Sequence, residues 1–184
     1  MPFRFSVTAL PGMLLIEPVV FPDERGFFME TYKRSEFAAH GIGEHFVQSN
    51  QSRSSRGTLR GLHFQNRPEA QAKLIRALDG EIYDVVVDIR DGSPTFGKWQ
   101  GLHLSAENKR ILYVPVGFAH GFCVISEMAD ISYMTSAEYA PALEGGIAWN
   151  DPDLKIVWPV EDPQLSTRDR GWPRLREIAS EFRH

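Results

Sequence analysis

Apolar positions along the chain gather in runs of roughly four to nine residues, rich in Val, Ile, Phe, Tyr and Trp and bounded by Gly, Pro, Asp or Ser. That pattern predicts strands over residues 13–20, 26–32, 59–65, 73–77, 81–89, 98–104, 110–114, 118–125 and 130–135. In the last run, alternation places Ile131, Tyr133 and Thr135 on one face and Ser132 on the other. Helical spacing is scarce. Ser35 stands where it would cap a short helix over Glu36 to His40, closed by Gly41. Pro173 would open a second helix, with Leu175, Ile178, Ala179 and Phe182 on one face. The 15 glycines and 12 prolines supply turn signals throughout, so the expected class is all-β, a sandwich or barrel with a few short helices.

Length changes this picture little: 184 residues suit one domain over 1–184, with no repeat, linker or low-complexity segment. Apolar residues at 42% and charged residues at 24% exclude a disordered chain. A net charge of −4 removes any strong electrostatic claim on nucleic acid. The first twenty residues are interrupted by Pro11, Gly12, Glu17 and Pro18, which fits neither a signal peptide nor a membrane span. The expected compartment is therefore the cytoplasm, and the Asn50-Gln51-Ser52 sequon carries no weight there. A single cysteine, Cys123, cannot make an internal disulfide; in Gly121-Phe122-Cys123-Val124 it reads as a buried, inert thiol.

Nucleotide-cofactor signatures are missing. Gly41-Ile42-Gly43 is followed by Phe46 where a dinucleotide fingerprint needs its third glycine, and no phosphate loop ends in Gly-Lys-Ser/Thr. Two strand-like runs instead carry a histidine flanked by glycine. They are Gly57-Thr58-Leu59-Arg60-Gly61-Leu62-His63-Phe64-Gln65 and Val114-Pro115-Val116-Gly117-Phe118-Ala119-His120-Gly121-Phe122. A histidine buried in an apolar strand needs partners for its ring nitrogens, and the glycines let a ligand approach the backbone. The layout resembles the two histidine motifs of cupins, β-barrels of the sandwich or jelly-roll type whose mouths hold ligands. Gln65 occupies the position of a metal-binding cupin's second histidine, leaving His63 and His120 with His103 as an unplaced third. Metal sites normally take three or more protein ligands, so no metal is expected.

A more specific resemblance follows from motifs spread along the chain. These are Phe21-x-Asp23-x-Arg25-Gly26-x-Phe28-x-Glu30, Phe46-Val47-Gln48-x-Asn50-x-Ser52, Leu59-Arg60-Gly61-Leu62-His63, Gln71-x-Lys73-Leu74 and Asp84-Val85-x-Val87-Asp88-x-Arg90. Further on come Gly117-Phe118-Ala119-His120-Gly121-Phe122, Glu144-x-Gly146-Ile147, Trp149-Asn150-Asp151-Pro152 and Ser166-x-x-Asp169. Together they are similar, in order and spacing, to the dTDP-4-dehydrorhamnose 3,5-epimerase family from about residue 3 to residue 175.

That resemblance implies epimerisation at carbons 3 and 5, each beside the 4-keto group of dTDP-4-dehydro-6-deoxy-D-glucose. Such chemistry needs a base, a holder for the enolate oxygen and an acid on the opposite face. No hydride moves, so no cofactor is implied. Histidine titrates near 6.5, which suits His63 as the base, and the resemblance pairs it with Asp169. Tyr133 is implied as the acid, with Tyr139 the weaker candidate. Lys73 and Arg60 would supply positive charge. Regular alternation points Arg60 away from His63, so both reach one pocket only if Gly61 bends or bulges the strand. Arg25, Glu30, Gln48, Asn50, His120, Glu144 and Arg168 are implied contacts to the nucleotide sugar. Asp84 and Asp88 lie on one face of a Val-rich strand and read as structural. The family forms homodimers in which an N-terminal strand crosses to the partner; the run 13–20 is a candidate for that strand, and Arg25 and Glu30 would then serve the neighbouring pocket. Three other readings stay open: a relative that epimerises one carbon only, a metal-dependent cupin oxygenase and a non-catalytic sugar-binding module.

Overall fold

The computed structural model describes residues 2–184 and is a β-sandwich. Its first strands are β1 (Phe3–Val7), β2 (Leu14–Pro18), β3 (Val20–Asp23) and β4 (Gly26–Met29), followed by the helix α1 (Arg34–Ala39). Then come β5 (Gln48–Ser55), β6 (Leu59–Gln65), β7 (Lys73–Asp79), β8 (Glu81–Asp88) and β9 (Trp99–Ser105). The strands β10 (Ile111–Val114), β11 (Phe118–Val124), β12 (Met128–Thr135) and β13 (Glu144–Gly146) precede the single-turn helix α2 (Thr167–Arg170). One sheet runs β1-β2-β10-β7-β12-β5 and the other β13-β6-β11-β8-β9, with antiparallel neighbours. Among the described residues the hairpin β3-β4 pairs only with itself.

Strand alternation sorts the apolar residues into three cores. Ile75, Ile82, Val86, Leu112, Phe122 and Ile131 face inward and fill the space between the sheets. The other face of β8, with Val85 and Val87, is covered by the C-terminal segment through Leu154, Leu175 and Phe182. On the outside of the six-stranded sheet, Phe37 of α1 and Ile42 cover Ile16, Leu74 and Ile111. Because β8 is buried on both faces at its centre, Val85, Val86 and Val87 follow one another there rather than alternating with polar residues. Among the described residues no helix is long and apolar enough to cross a membrane.

All nine expected strands form, with shifted ends. The run 13–20 divides into β2 and β3, and β2 lies inside its own sheet between β1 and β10 rather than unpaired. The strand β5 was not expected, because Gln48 to Ser55 contains no apolar residue; its inward side chains face a polar cavity instead of a core. The strands β1 and β13 are likewise additions. Helix α1 begins one residue before Ser35, with extended Lys33 at its N-cap and no side-chain cap. The second expected helix does not form. Asp151 takes the Leu175 amide at 2.7 Å and Glu177 takes the Arg174 amide at 3.0 Å. Only a 3-10 turn, Leu175–Glu177, results before the chain turns extended at Ile178. Leu175 and Phe182 still reach the apolar cluster, but from a turn and an extended tail.

Asp88, at the end of β8, is fully buried. It accepts hydrogen bonds of 2.6 to 3.0 Å from Arg90, Ser93 and Thr95. Burial works against its charge, yet these donors prevail and hold the carboxyl near 2 instead of 3.8. A carboxyl depressed on folding stabilises above its unfolded value and stops doing so as pH falls toward its folded value. Chemical denaturation followed by circular dichroism should therefore show roughly 2 kcal/mol of stability lost between about pH 4 and pH 2 from this group. Asp88→Asn should remove that component of the acid profile.

Candidate active site

A cavity of about 410 Å³ lies between the sheets. One wall is built from β5, β7 and β12, which present Gln48, Asn50, Lys73, Ile75, Ile131 and Tyr133. The facing wall is β6 and β11, with Arg60, His63, His120 and Phe122. Glu144 of β13, and Arg168 and Asp169 of α2, complete the lining.

The facing wall depends on a bulge. His120 pairs with His63 and Phe122 with Arg60, so three steps along β6 match two along β11. Gly61 sits at the irregularity with φ of 138°, a region that L-residues avoid. A side-chain carbon there would come within 2.5 Å of Gly121 Cα, so the two backbones approach at paired glycines. The extra residue brings Arg60 and His63 to the same cavity, as the alternation required of Gly61.

Each cavity histidine rests on a buried carboxylate. His63 Nε2 lies 2.5 Å from Asp169 Oδ1, and Asp169 also accepts from Ser166 Oγ at 2.9 Å and Trp172 Nε1 at 3.3 Å. Burial raises the Asp169 carboxyl, but the bonds from His63, Ser166 and Trp172 hold it below the usual range. A carboxylate only accepts, so Nε2 of His63 carries the proton and Nδ1 keeps its lone pair. The same logic applies to His120, whose Nε2 lies 2.8 Å from Asp84 Oδ2.

Lys73 is half-buried on the opposite wall, and among the described residues its ammonium makes one hydrogen bond, to the His63 carbonyl at 3.5 Å. Burial lowers its ammonium to about 8, with Asp84 and Glu144 pulling the other way. The Tyr133 phenol is pushed up, first by burial, and so keeps its proton at neutral pH. At the rim, Tyr139 donates to Glu144 at 2.9 Å and Arg168 pairs with Glu144. Gln48 bonds Asn50 at 2.8 Å and accepts the Tyr139 amide at 2.9 Å.

Ten of the expected site residues therefore share one cavity; Arg25 and Glu30 do not. Arg25 stands on the β3-β4 turn, exposed and tied to Asp23 at 2.6 Å, and Glu30 follows β4. Their motif is contiguous in sequence, but the hairpin carries it out of this chain's own pocket. Tyr139 is a rim residue, half exposed, and not a wall residue like Tyr133. His103 lies on β9 beside Glu81, away from the other two histidines. Among the described residues no three His, Cys, Asp or Glu side chains converge as metal ligands would. Gln65, with Gln71, instead holds the loop that carries Tyr139, bonding the carbonyls of Glu138 and Ala137 at 2.9 Å and the amide of Ala140. Ser166, not singled out as a site residue, is legible afterwards as the helix cap three residues before Asp169.

The family model described as dTDP-4-dehydrorhamnose 3,5-epimerase matches residues 7–177. The chain belongs to this family. A dTDP-4-dehydrorhamnose 3,5-epimerase of Pseudomonas aeruginosa is 57% identical over 164 residues, 88% of this chain and 90% of that one. The crystal structure of dTDP-6-deoxy-D-glucose-3,5-epimerase from Legionella pneumophila, in complex with dTDP-4-keto-L-rhamnose, superposes with a TM-score of 0.95. Its identity is 46%, over 99% of this chain and 98% of that one. A 3′-monoepimerase from Streptomyces bikiniensis, in complex with dTDP-quinovose, is 37% identical with a TM-score of 0.86, over 92% and 86% of the two chains.

In this member of the epimerase family the buried ammonium gives a direct check on the cavity. An NMR titration of labelled lysines should find one amine losing its proton near pH 8, and Lys73→Arg should delete that signal. Its folded value lies below the unfolded one, so its contribution to stability improves as pH rises from about 8 toward 10.5.

Proposed function

We propose that the protein epimerises carbons 3 and 5 of dTDP-4-dehydro-6-deoxy-D-glucose to give dTDP-4-dehydro-L-rhamnose, without a cofactor. The observation that carries this reading is the placement of an oriented imidazole and a protonated phenol on facing walls of one cavity. Inversion needs a proton taken from one face of a carbon and returned to the other, and His63 and Tyr133 stand on the two sides.

His63 removes the proton with the lone pair on Nδ1, while Asp169 holds the ring and stabilises the imidazolium that forms. The electrons pass to the 4-keto oxygen, where Lys73 and Arg60 supply positive charge. In a site walled partly by Ile75, Phe122 and Ile131, such charges act through a medium less polar than water and are worth roughly 3 to 4 kcal/mol of barrier each. Tyr133 then donates its proton to the opposite face. Gln48, Asn50, His120, Glu144 and Arg168 hold the nucleotide sugar, with the Arg168 guanidinium at the rim facing the diphosphate.

We place the chain in a homodimer that exchanges an N-terminal element, the hairpin β3-β4. It leaves Phe21, Phe27 and Phe28 at 53%, 58% and 66% exposure and forms no strand pairing with any other described residue. Docked on a second copy, it would cover those rings and deliver Arg25 and Glu30 to the partner's cavity. The thiol of Cys123, pushed up to about 11 by burial, suits the cytoplasm.

Incubation of dTDP-4-dehydro-6-deoxy-D-glucose with the protein in D2O should place deuterium at carbons 3 and 5 and yield the L-sugar, read by proton NMR. Deuterium at one carbon would make the protein a single-centre epimerase, and none would sink the assignment. His63→Ala and Asp169→Asn should each lose activity by about a hundredfold or more while keeping the wild-type circular dichroism. Tyr133→Phe should harm the second inversion more than the first exchange. Mixed under subunit exchange, inactive Arg25→Ala and His63→Ala homodimers should regain activity, because a shared dimer then contains one intact site.

A further inference from the structure

Asp84 lies on the inward face of β8, below the cavity, with no exposed surface. Its Oδ2 takes the Nε2–H of His120 at 2.8 Å, while its Oδ1 is buried without a hydrogen-bond partner among the described residues. A buried carboxylate with a bare oxygen is costly unless a cation stands near enough to compensate it. The cation the cavity offers is Lys73, half-buried on the wall facing His120 and bonded only weakly to a carbonyl. Asp88, four residues along the same face, is fully served by its own donors. The two aspartates read alike in sequence and differ in surroundings.

We propose that Asp84 is a positioning residue for the epimerisation, orienting His120 and facing the buried ammonium of Lys73 as its counter-charge. The inference rests on the function proposed above. Two consequences follow for the chemistry. With its proton held on Nε2 by Asp84, His120 presents Nδ1 as an acceptor, so it takes a hydrogen bond from a sugar hydroxyl and does not donate to the enolate oxygen. That leaves the oxygen to the cations.

The titratable and charged groups that share the cavity with Lys73 are Glu144 from β13, Arg60 and His63 from β6, His120 from β11, Tyr133 from β12, and Arg168 and Asp169 from α2, with Asp84 of β8 behind His120. Glu144 is paired with Arg168 and Asp169 with His63, and the remaining groups are cationic or neutral when the site is poised to react. Of these, Asp84 is therefore the carboxylate with no cation paired directly to it, and its charge opposes the loss of the Lys73 proton.

The test is Asp84→Asn, which keeps the shape and removes the charge. Deuterium wash-in rates should fall about threefold or less at pH 6.5 and about tenfold or more at pH 8.5, because Lys73 then loses its proton at lower pH. The lysine titration should move the same way. A uniform loss at every pH, or an unchanged profile, would overturn the proposal. The wild type also tests it: nitrogen-15 spectra of labelled histidine at pH 8 should place the His120 proton on Nε2, and a proton on Nδ1 would overturn the assignment even if the variant fails to fold. A wild type that exchanges no deuterium would remove the epimerase reading instead, and the histidine and lysine spectra would still decide what Asp84 does.

Discussion

The hydrogen bond between His63 and Asp169 joins residues 106 apart in the chain, and much of the molecule is arranged so that it forms. Asp169 comes from a single turn of helix, too short to persist alone. What holds it beside β6 is the segment on either side. The Leu59 amide bonds the Gln164 carbonyl at 3.0 Å, and the Ala148 amide bonds Pro173 at 2.8 Å. Between them the Trp172 ring packs on His63 edge to face, in a space open only because residue 146 is glycine. Beneath lies the apolar cluster of Ile147, Leu154, Leu175 and Phe182. The outer core of the five-stranded sheet is thus what orients the base.

The cavity also balances its charges. Arg60, Lys73 and Arg168 face Asp84, Glu144 and Asp169, three cations against three carboxylates. The balance is uneven in detail, because Arg168 and Glu144 are paired directly whereas Lys73 and Asp84 are not. Polar strands such as β5 fit this setting: Gln48 and Asn50 bond each other and the backbone, which a hydrated wall permits and an apolar core does not.

Which parts of this were legible in the sequence follows from where each residue's partners lie. Strands buried on at least one face announced themselves through apolar runs, as β8, β11 and β12 did. The strand β5 was silent because its inward face meets the cavity. The C-terminal helix was misread because Leu175, Ile178 and Phe182 have helical spacing, while the deciding contact, the Asp151 carboxylate on the Leu175 amide, comes from 24 residues away. At the site, the bulge at Gly61 was demanded by the wish to bring Arg60 and His63 together, and it is there. Spacing had no means of showing that Arg25 and Glu30 leave the cavity on a hairpin, or that Asp84 and Asp88, four residues apart on one face, meet such different neighbours.

The bulge has a bearing on which length changes this chain can absorb. Removing one residue at Gly61 would let β6 and β11 pair as a regular ladder, with every backbone group in step and no need for glycine at either strand. The same deletion would leave Arg60 two positions before His63 and on the same face, whereas straightening the strand at its full length would turn Arg60 outward, away from the cavity. The tidier sheet and the furnished pocket exclude each other only while the strand keeps its full length. A search for stabilised variants that admits deletions would be drawn to this position and would find a better-paired strand with Arg60 still on the cavity wall.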